Sequence, residues 1–198
     1  RYKKGIVGVS ERQAIDFHSP YGCSKGSADQ YVRDYARIYG LKTVVFRQSC
    51  IFGPHQFGME EQGWVAWFAI AALFGRPITV YGDGYQTRDV VDVSDLCRLY
   101  ESALLKIEKV KGKIYNIGGG PSRAVSVRGA LAELGKELGH PIPHAYGDWR
   151  PGDQKVYISD IRTIEKDLGW RPTVSFREGL GRLVAWIRAE APRVRRTV

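Results

Sequence analysis

The amino-acid sequence predicts an α/β fold, and three observations carry the prediction. Segments with apolar residues at helical spacing alternate with short runs of β-branched and aromatic residues; glycine closes most of the helical segments; and 43% of the 198 residues are hydrophobic, enough for a packed core.

The first helix spans Pro20 to Tyr39 on sequence grounds. Ser19 suits the N-cap and Pro20 the first helical position, and Ala28, Tyr31, Val32, Tyr35 and Tyr39 form an apolar stripe that stops at Gly40. Residues 1–18 show no helix or strand pattern and read as a loop leading into that helix. The run Thr43-Val44-Val45-Phe46-Arg47 predicts a strand near 42–48, followed by a polar, glycine-rich loop from Cys50 to Gly63. A helix over 64–74 ends at Gly75; its apolar run is too short to cross a bilayer and is expected to be buried or at an interface. Pro77 to Tyr81 predicts a short strand closed by the turn Gly82-Asp83-Gly84. Ser94 is expected to cap a helix that buries Leu96, Leu99, Tyr100, Ala103, Leu104 and Ile107. After a strand at 113–117, Ser126 caps a helix with Val127, Ala130, Leu131, Leu134 and Leu138 inward, stopped by Gly139. A helix over 160–168 stops at Gly169, and Ser175-Phe176-Arg177-Glu178 is a capping box that opens the last helix. No internal repeat or low-complexity segment is present.

The formal charge of +9 favours anionic partners. The basic residues are spread along the chain and cluster only at Arg193, Arg195 and Arg196, without a stripe of interleaved aromatics, so phosphorylated small molecules are expected and nucleic acid is not. No stretch reads as a signal peptide or membrane span, and the 3 cysteines, at 23, 50 and 97, show no paired spacing. A cytoplasmic protein with reduced thiols and no membrane partner is the expectation. Histidines 18, 55, 140 and 144 lack metal-ligand spacing, so no metal site is expected.

Tyr21 and Lys25 stand four residues apart on one face of the first helix. A free tyrosine has a pKa of about 10, and a fixed ammonium nearby favours the phenolate, so the pair can act as a proton shuttle. Such a pair alone is commonly plain helix surface; its context decides. Gly118-Gly119-Gly120 follows a strand, but Arg123 stands where a dinucleotide loop needs its third glycine, and the triplet is read as a turn.

That context is Pro20-Tyr21-Gly22-Cys23-Ser24-Lys25 at a helix start, then a long helix, a β-branched strand and the Gly53-Pro54 turn. It resembles the active-site region of the extended short-chain dehydrogenase/reductases, and the resemblance covers roughly residues 5–190. It implies the C-terminal part of a Rossmann-type fold plus its small substrate-binding domain. Residues 1–60 would end the NAD-binding domain, and 61–198 would form mainly the substrate domain, with some segments returning to the Rossmann core. It further implies NAD as cofactor, Tyr21 and Lys25 as catalytic residues that also touch it, and Gln48, Ser49 and Cys50 beside the nicotinamide. The family's glycine-rich dinucleotide loop and upstream Ser or Thr are not found in this sequence. A truncated chain, or a separate amino-terminal half as partner, is therefore expected, with poor NAD binding by the isolated chain.

Within the family, Gly84-Tyr85-Gln86-Thr87-Arg88-Asp89 is similar to a motif that sets an arginine, here Arg88, on the diphosphate of a nucleotide sugar. Arg150-Pro151-Gly152-Asp153 resembles a second signature, Arg150 for the diphosphate and Asp153 for the ribose. Asp89 is read as orienting Arg88 or ending a turn. In Arg47-Gln48-Ser49-Cys50-Ile51-Phe52-Gly53-Pro54, Cys50 replaces the asparagine of many 4-epimerases and dehydratases. With Gln62-Gly63-Trp64 it resembles the subgroup of CDP-paratose (CDP-tyvelose) 2-epimerases. The implied substrate-binding set is Cys50, Gln62, Gln86, Arg88, Arg150 and Asp153; Cys50 is not expected to act as a catalytic thiol. The implied activity is 2-epimerisation by transient oxidation at C2, the alternatives being a 4-epimerase or 4,6-dehydratase, or a noncatalytic nucleotide-sugar-binding fragment. A homodimer through a helix bundle that includes the tyrosine-bearing first helix is also implied.

Overall fold

The computed structural model describes residues 7–197. Side-chain caps set where several helices begin. Ser19 Oγ accepts from the Gly22 N–H at 3.0 Å and starts α1 (Pro20–Tyr39), which ends on Gly40 in the left-handed conformation. The chain then forms β1 (Val45–Gln48) and β2 (Cys50–Phe52), α2 (Trp64–Phe74), β3 (Thr79–Tyr81) and β4 (Thr87–Asp92). Helices α3 (Val93–Leu105) and α4 (Ile107–Val110) lead to β5 (Ile114–Ile117) and β6 (Ala124–Ser126). Ser126 caps α5 (Val127–Leu138), and after β7 (Ala145–Gly147) and β8 (Val156–Tyr157) come α6 (Arg162–Leu168), α7 (Phe176–Ala189) and α8 (Ala191–Thr197). Ser175 Oγ accepts from the Glu178 N–H at 3.2 Å at the start of α7, while the Glu178 carboxylate pairs with Arg182. Residues 7–18 carry one bridge, Val9 to Ser159, and no helix or strand; the rest of the expected N-terminal loop lies outside the described residues.

The strands pair mostly in parallel, as helical crossovers require. β1 lies beside β5, with Val45 opposite Ile114; β4 pairs in parallel with β2 and β8 and antiparallel with β6; and β3 pairs with β7. Ser49 separates β1 from β2 and hands the chain from one sheet to the other. Its N–H donates to Ile117 O at 2.7 Å beside β1, and its hydroxyl reaches the Asp89 carboxylate on β4 at 2.7 Å.

Two apolar clusters fill the molecule. One gathers α2, α5 and α7 over β3 and β4, including Phe68, Ile70, Val80, Val90, Leu134 and Leu183. The other lies between α3, β5 and α6, including Leu99, Tyr115, Ile117, Ile164 and Trp170. Each such buried side chain contributes about 1.5–3 kcal/mol relative to exposure. No helix among the described residues is long and apolar enough to cross a membrane.

Several local expectations need correction. Asp92, not Ser94, caps α3: its Oδ1 accepts from the Ser94 N–H at 2.9 Å, and Tyr100 and Leu104 turn outward. The loop expected from Cys50 begins as β2, because Ile51 and its neighbours find a partner in β4. The first strand is shorter than 42–48, and the helix expected from 160 begins at Arg162, while Asp160 binds the Arg162 backbone and guanidinium. The tyrosine stripe of α1 faces away from the chain: Tyr31, Tyr35 and Tyr39 are exposed, and the buried residues of that helix are Gly26 and Asp29.

Candidate active site

A cavity of about 540 Å³ opens where the start of α1, β2, the loop before α2, β4 and the 150–154 loop meet. Cys50, Gln62, Gln86, Arg88, Arg150 and Asp153 all line it, so residues spread over a hundred positions converge on one space. Ser19 and Gly22, from the cap and first turn of α1, line it too. Tyr21, Lys25, Gln48 and Ser49 do not. Tyr21 is 68% exposed, and the Lys25 ammonium stands 5.5 Å from the centre of its ring, so the pair shares a solvent-facing helix surface beside the cavity mouth.

Each arginine in the cavity has its own carboxylate. Arg88 Nη2 donates to Asp153 Oδ1 at 2.8 Å and Nη1 to the Thr87 carbonyl at 3.0 Å. The Arg150 guanidinium lies 3.9 Å above the Tyr81 ring; its Nη1 donates to the Glu60 carbonyl at 3.3 Å, with Nη2 3.9 Å from Glu60 Oε1. Tyr81 O–H donates to that same Oε1 at 2.8 Å. The guanidiniums are thus aimed and partly neutralised within one cavity.

Asp89 does neither of the things expected of it. Fully buried, it accepts from the Ser49 hydroxyl and from the Gly120 and Ser159 N–H groups, both at 3.0 Å, so it ties β4 to the chain crossing and to the glycine turn. Burial pushes its carboxyl above the usual range, and these hydrogen bonds offset the rise only in part. A Cβ on Gly118 would stand 1.9 Å from Asp89 Oδ2, and one on Gly119 would stand 2.4 Å from the Val90 carbonyl. The triplet is a close-packed turn around a carboxylate, which takes up the Gly120 N–H and would repel a phosphate there.

The Cys50 thiol accepts from the Trp64 indole at 3.4 Å, and burial pushes its pKa up despite that bond and the nearby Arg88. A thiol held neutral fills space rather than attacking. Gln86 Nε2 donates to the Tyr81 carbonyl, while Gln86 Oε1 and Trp67 Nε1 are buried without a partner among the described residues, and both side chains line the cavity. Gln48 Nε2 is engaged by the Tyr100 hydroxyl at 2.5 Å. Sequence reasoning missed Glu60, Tyr81 and Trp64 as cavity groups, and also the Asp29–Arg47 pair, in which Arg47 Nε and Nη2 reach the two Asp29 oxygens at 2.6 and 3.2 Å and seat α1 on β1. The spacing from Asp29 to Arg47 carries no local signal.

Comparison with known proteins gives the setting. Residues 5–118 match the NAD dependent epimerase/dehydratase family. A CDP-paratose 2-epimerase of Salmonella typhi is 40% identical over 184 residues, which is 90% of this chain and 54% of that protein. A dTDP-glucose 4,6-dehydratase of Neisseria meningitidis serogroup B is 37% identical over 179 residues, 85% of this chain and 49% of that protein. The solved UDP-glucuronic acid 4-epimerase of Bacillus cereus, in complex with UDP-glucuronic acid and NAD, superposes with a TM-score of 0.84 at 28% identity, covering 95% of this chain and 58% of that one. The chain spans about half the length of the curated relatives it matches.

Proposed function

Because the chain belongs to the NAD-dependent epimerase/dehydratase family, we propose that it is the substrate-holding and proton-transfer portion of a nucleotide-sugar epimerase, acting at C2 of a CDP-linked sugar. The observation that carries this reading is the convergence of Arg88 and Arg150, from two distant motifs, on one cavity beside the first turn of α1. A pair of guanidiniums, permanently charged and shaped for phosphate oxygens, suits a diphosphate.

In this reading Tyr21 takes the proton from the sugar C2 hydroxyl and later returns it. Lys25, whose ammonium stands 5.5 Å from the centre of the same ring, would bind the nicotinamide ribose. The chain between Gln48 and Cys50 would border the nicotinamide. NAD, when bound, supplies the redox chemistry at C2; Tyr21 and Lys25 would meet its nicotinamide end, and the glycine turn at 118–120, packed around the Asp89 carboxylate, offers its pyrophosphate no cradle. In this reading an amino-terminal half, whether joined to this chain or separate, would supply the pyrophosphate cradle, and the complete enzyme would act in the cytoplasm.

Identity to a CDP-paratose 2-epimerase and the cysteine at position 50 support C2 over C4. The dehydratase reading draws support from a relative only slightly more distant. NMR of the product from the complete enzyme separates them: inversion at C2 without loss of water is expected, and a 4-keto-6-deoxy product would replace this reading with dehydration. Tyr21→Phe in that enzyme is expected to lower turnover by about 10²–10⁴-fold. Recovery of the unchanged nucleotide sugar after incubation with the complete enzyme and NAD would leave a noncatalytic nucleotide-sugar-binding module.

A further inference from the structure

We propose that Glu60 selects the base of the bound nucleotide: its carboxylate accepts a hydrogen bond from the exocyclic amine of cytosine and disfavours uracil. The inference rests on the nucleotide-sugar reading of the cavity and adds a residue that no motif singled out.

Position comes first. Arg88 and its partner Asp153 line the cavity together with Cys50 of β2 and with Ser19 and Gly22 at the start of α1. Arg150, joined to Asp153 through the Asp153 N–H to its carbonyl at 3.2 Å, packs with Tyr81 at the end of β3 and Glu60 in the loop before α2. With the diphosphate on the arginines, the ribose at Asp153 and the sugar toward Tyr21, the base is left for the Tyr81 and Glu60 side of the Arg150 loop.

That carboxylate is well fixed. Its backbone sits in a tight turn, with Met59 N–H donating to the Gln62 carbonyl at 2.9 Å and Gln62 N–H to the Met59 carbonyl at 3.1 Å. Its Oε1 is held by the Tyr81 hydroxyl at 2.8 Å. An ionised carboxylate offers about four lone-pair sites. Tyr81 uses one, and Arg150 Nη2 at 3.9 Å stands beyond hydrogen-bond distance, so acceptor capacity remains at the cavity wall. Cytosine presents a donor amine at the position where uracil presents a carbonyl oxygen. A carboxylate accepts from the first and repels the second, a preference on the order of 10- to 100-fold for a well-placed contact.

Calorimetric titration of this chain with CDP and with UDP tests the assignment. The expected result is CDP at least about tenfold tighter than UDP, with the preference falling below about threefold in Glu60→Gln, whose amide can donate to the uracil carbonyl as readily as accept from cytosine. Should Glu60→Gln fail to fold, Tyr81→Phe removes the hydroxyl that holds the carboxylate but keeps the ring, and a reduced preference is expected there too. Equal binding of CDP and UDP by the parent chain, or a preference that survives in the folded variant, overturns the role of Glu60 and leaves the nucleotide-sugar cavity standing. Binding of neither nucleotide overturns both.

Discussion

Arg88 and Arg150, proposed to hold the diphosphate, stand in different surroundings. Arg88 is 16% exposed and bonded to Asp153; Arg150 is 39% exposed and stacked on Tyr81. Truncating one partner of a buried charge pair costs on the order of 2–5 kcal/mol of binding. Arg88→Ala is therefore expected to weaken CDP binding within that range, and Arg150→Ala by less, since solvent already screens its charge; calorimetry measures both, and two variants that bind like the parent would remove the diphosphate site. A second residue governs acid stability. Asp95 is fully buried, which by itself would raise its pKa, yet the Thr173 and Val174 N–H groups at 3.0 Å and the Arg98 guanidinium together bring it below the usual carboxylate range. A lowered folded pKa contributes stability that is present above the unfolded value of about 3.9 and is lost as pH falls through the folded one. Urea unfolding from pH 7 to pH 3 is expected to show that loss in the parent and a flatter acid limb in Asp95→Asn, which starts about 1–3 kcal/mol less stable at pH 7.

Helix α1 carries the proposed chemistry, and its seat is ionic rather than apolar. Asp29 is the anchor: its two oxygens hold Arg47 of β1, while the tyrosines that mark the helix as amphipathic in sequence look outward. Breaking a fully buried pair costs about 3–5 kcal/mol; with Arg47 21% exposed, Asp29→Ala is expected at the lower end or just below. The same variant in a complete enzyme should lower kcat far more than it raises KM for the nucleotide sugar, because it disturbs the helix of Tyr21 and leaves both arginines alone. A KM effect as large as the kcat effect would speak against that division. Other elements answer to local rules. Ser175→Ala should lower stability by about 1 kcal/mol through loss of the bond to the Glu178 N–H, read from thermal unfolding. The helices were legible for this reason, since their caps and stops are written within a few residues of each other. The strands β6, β7 and β8 have two or three residues each, too few for alternation to register, and β4 reads locally as a turn-like polar motif until its partners β2, β6 and β8 are in place.

At the scale of the molecule, α1 presents Tyr31, Tyr35, Ile38 and Tyr39 to solvent, an apolar and aromatic surface larger than isolated exposed residues make. This is the face proposed to form the homodimer of the complete enzyme. Light scattering of that enzyme is expected to give a dimeric mass, and Tyr35→Glu with Tyr39→Glu a monomeric one; a monomeric parent would remove the proposal. The isolated chain is expected to bind CDP while binding NAD weakly, since the whole set expected for substrate lines one cavity and the Tyr21–Lys25 pair lies outside it.

The sequence by itself determined the α/β class, the order of the main helices and strands, and the residues proposed as a proton-transfer pair and as two phosphate-binding arginines. Those signals are local: a cap, a stop or a motif is satisfied by neighbours three or four positions away. Only the tertiary structure decided what the residues do to one another. Asp89 stands next to Arg88 in the chain, yet alternation along β4 sends one into the interior and leaves the other at the cavity, where Asp153, 65 residues on, becomes its partner. Glu60 and Tyr81 joined Arg150 in the same way, through strand pairing and loop closure that no short stretch encodes. Partner choice depends on which side chains burial brings within about 3 Å, and burial is a property of the whole packed chain.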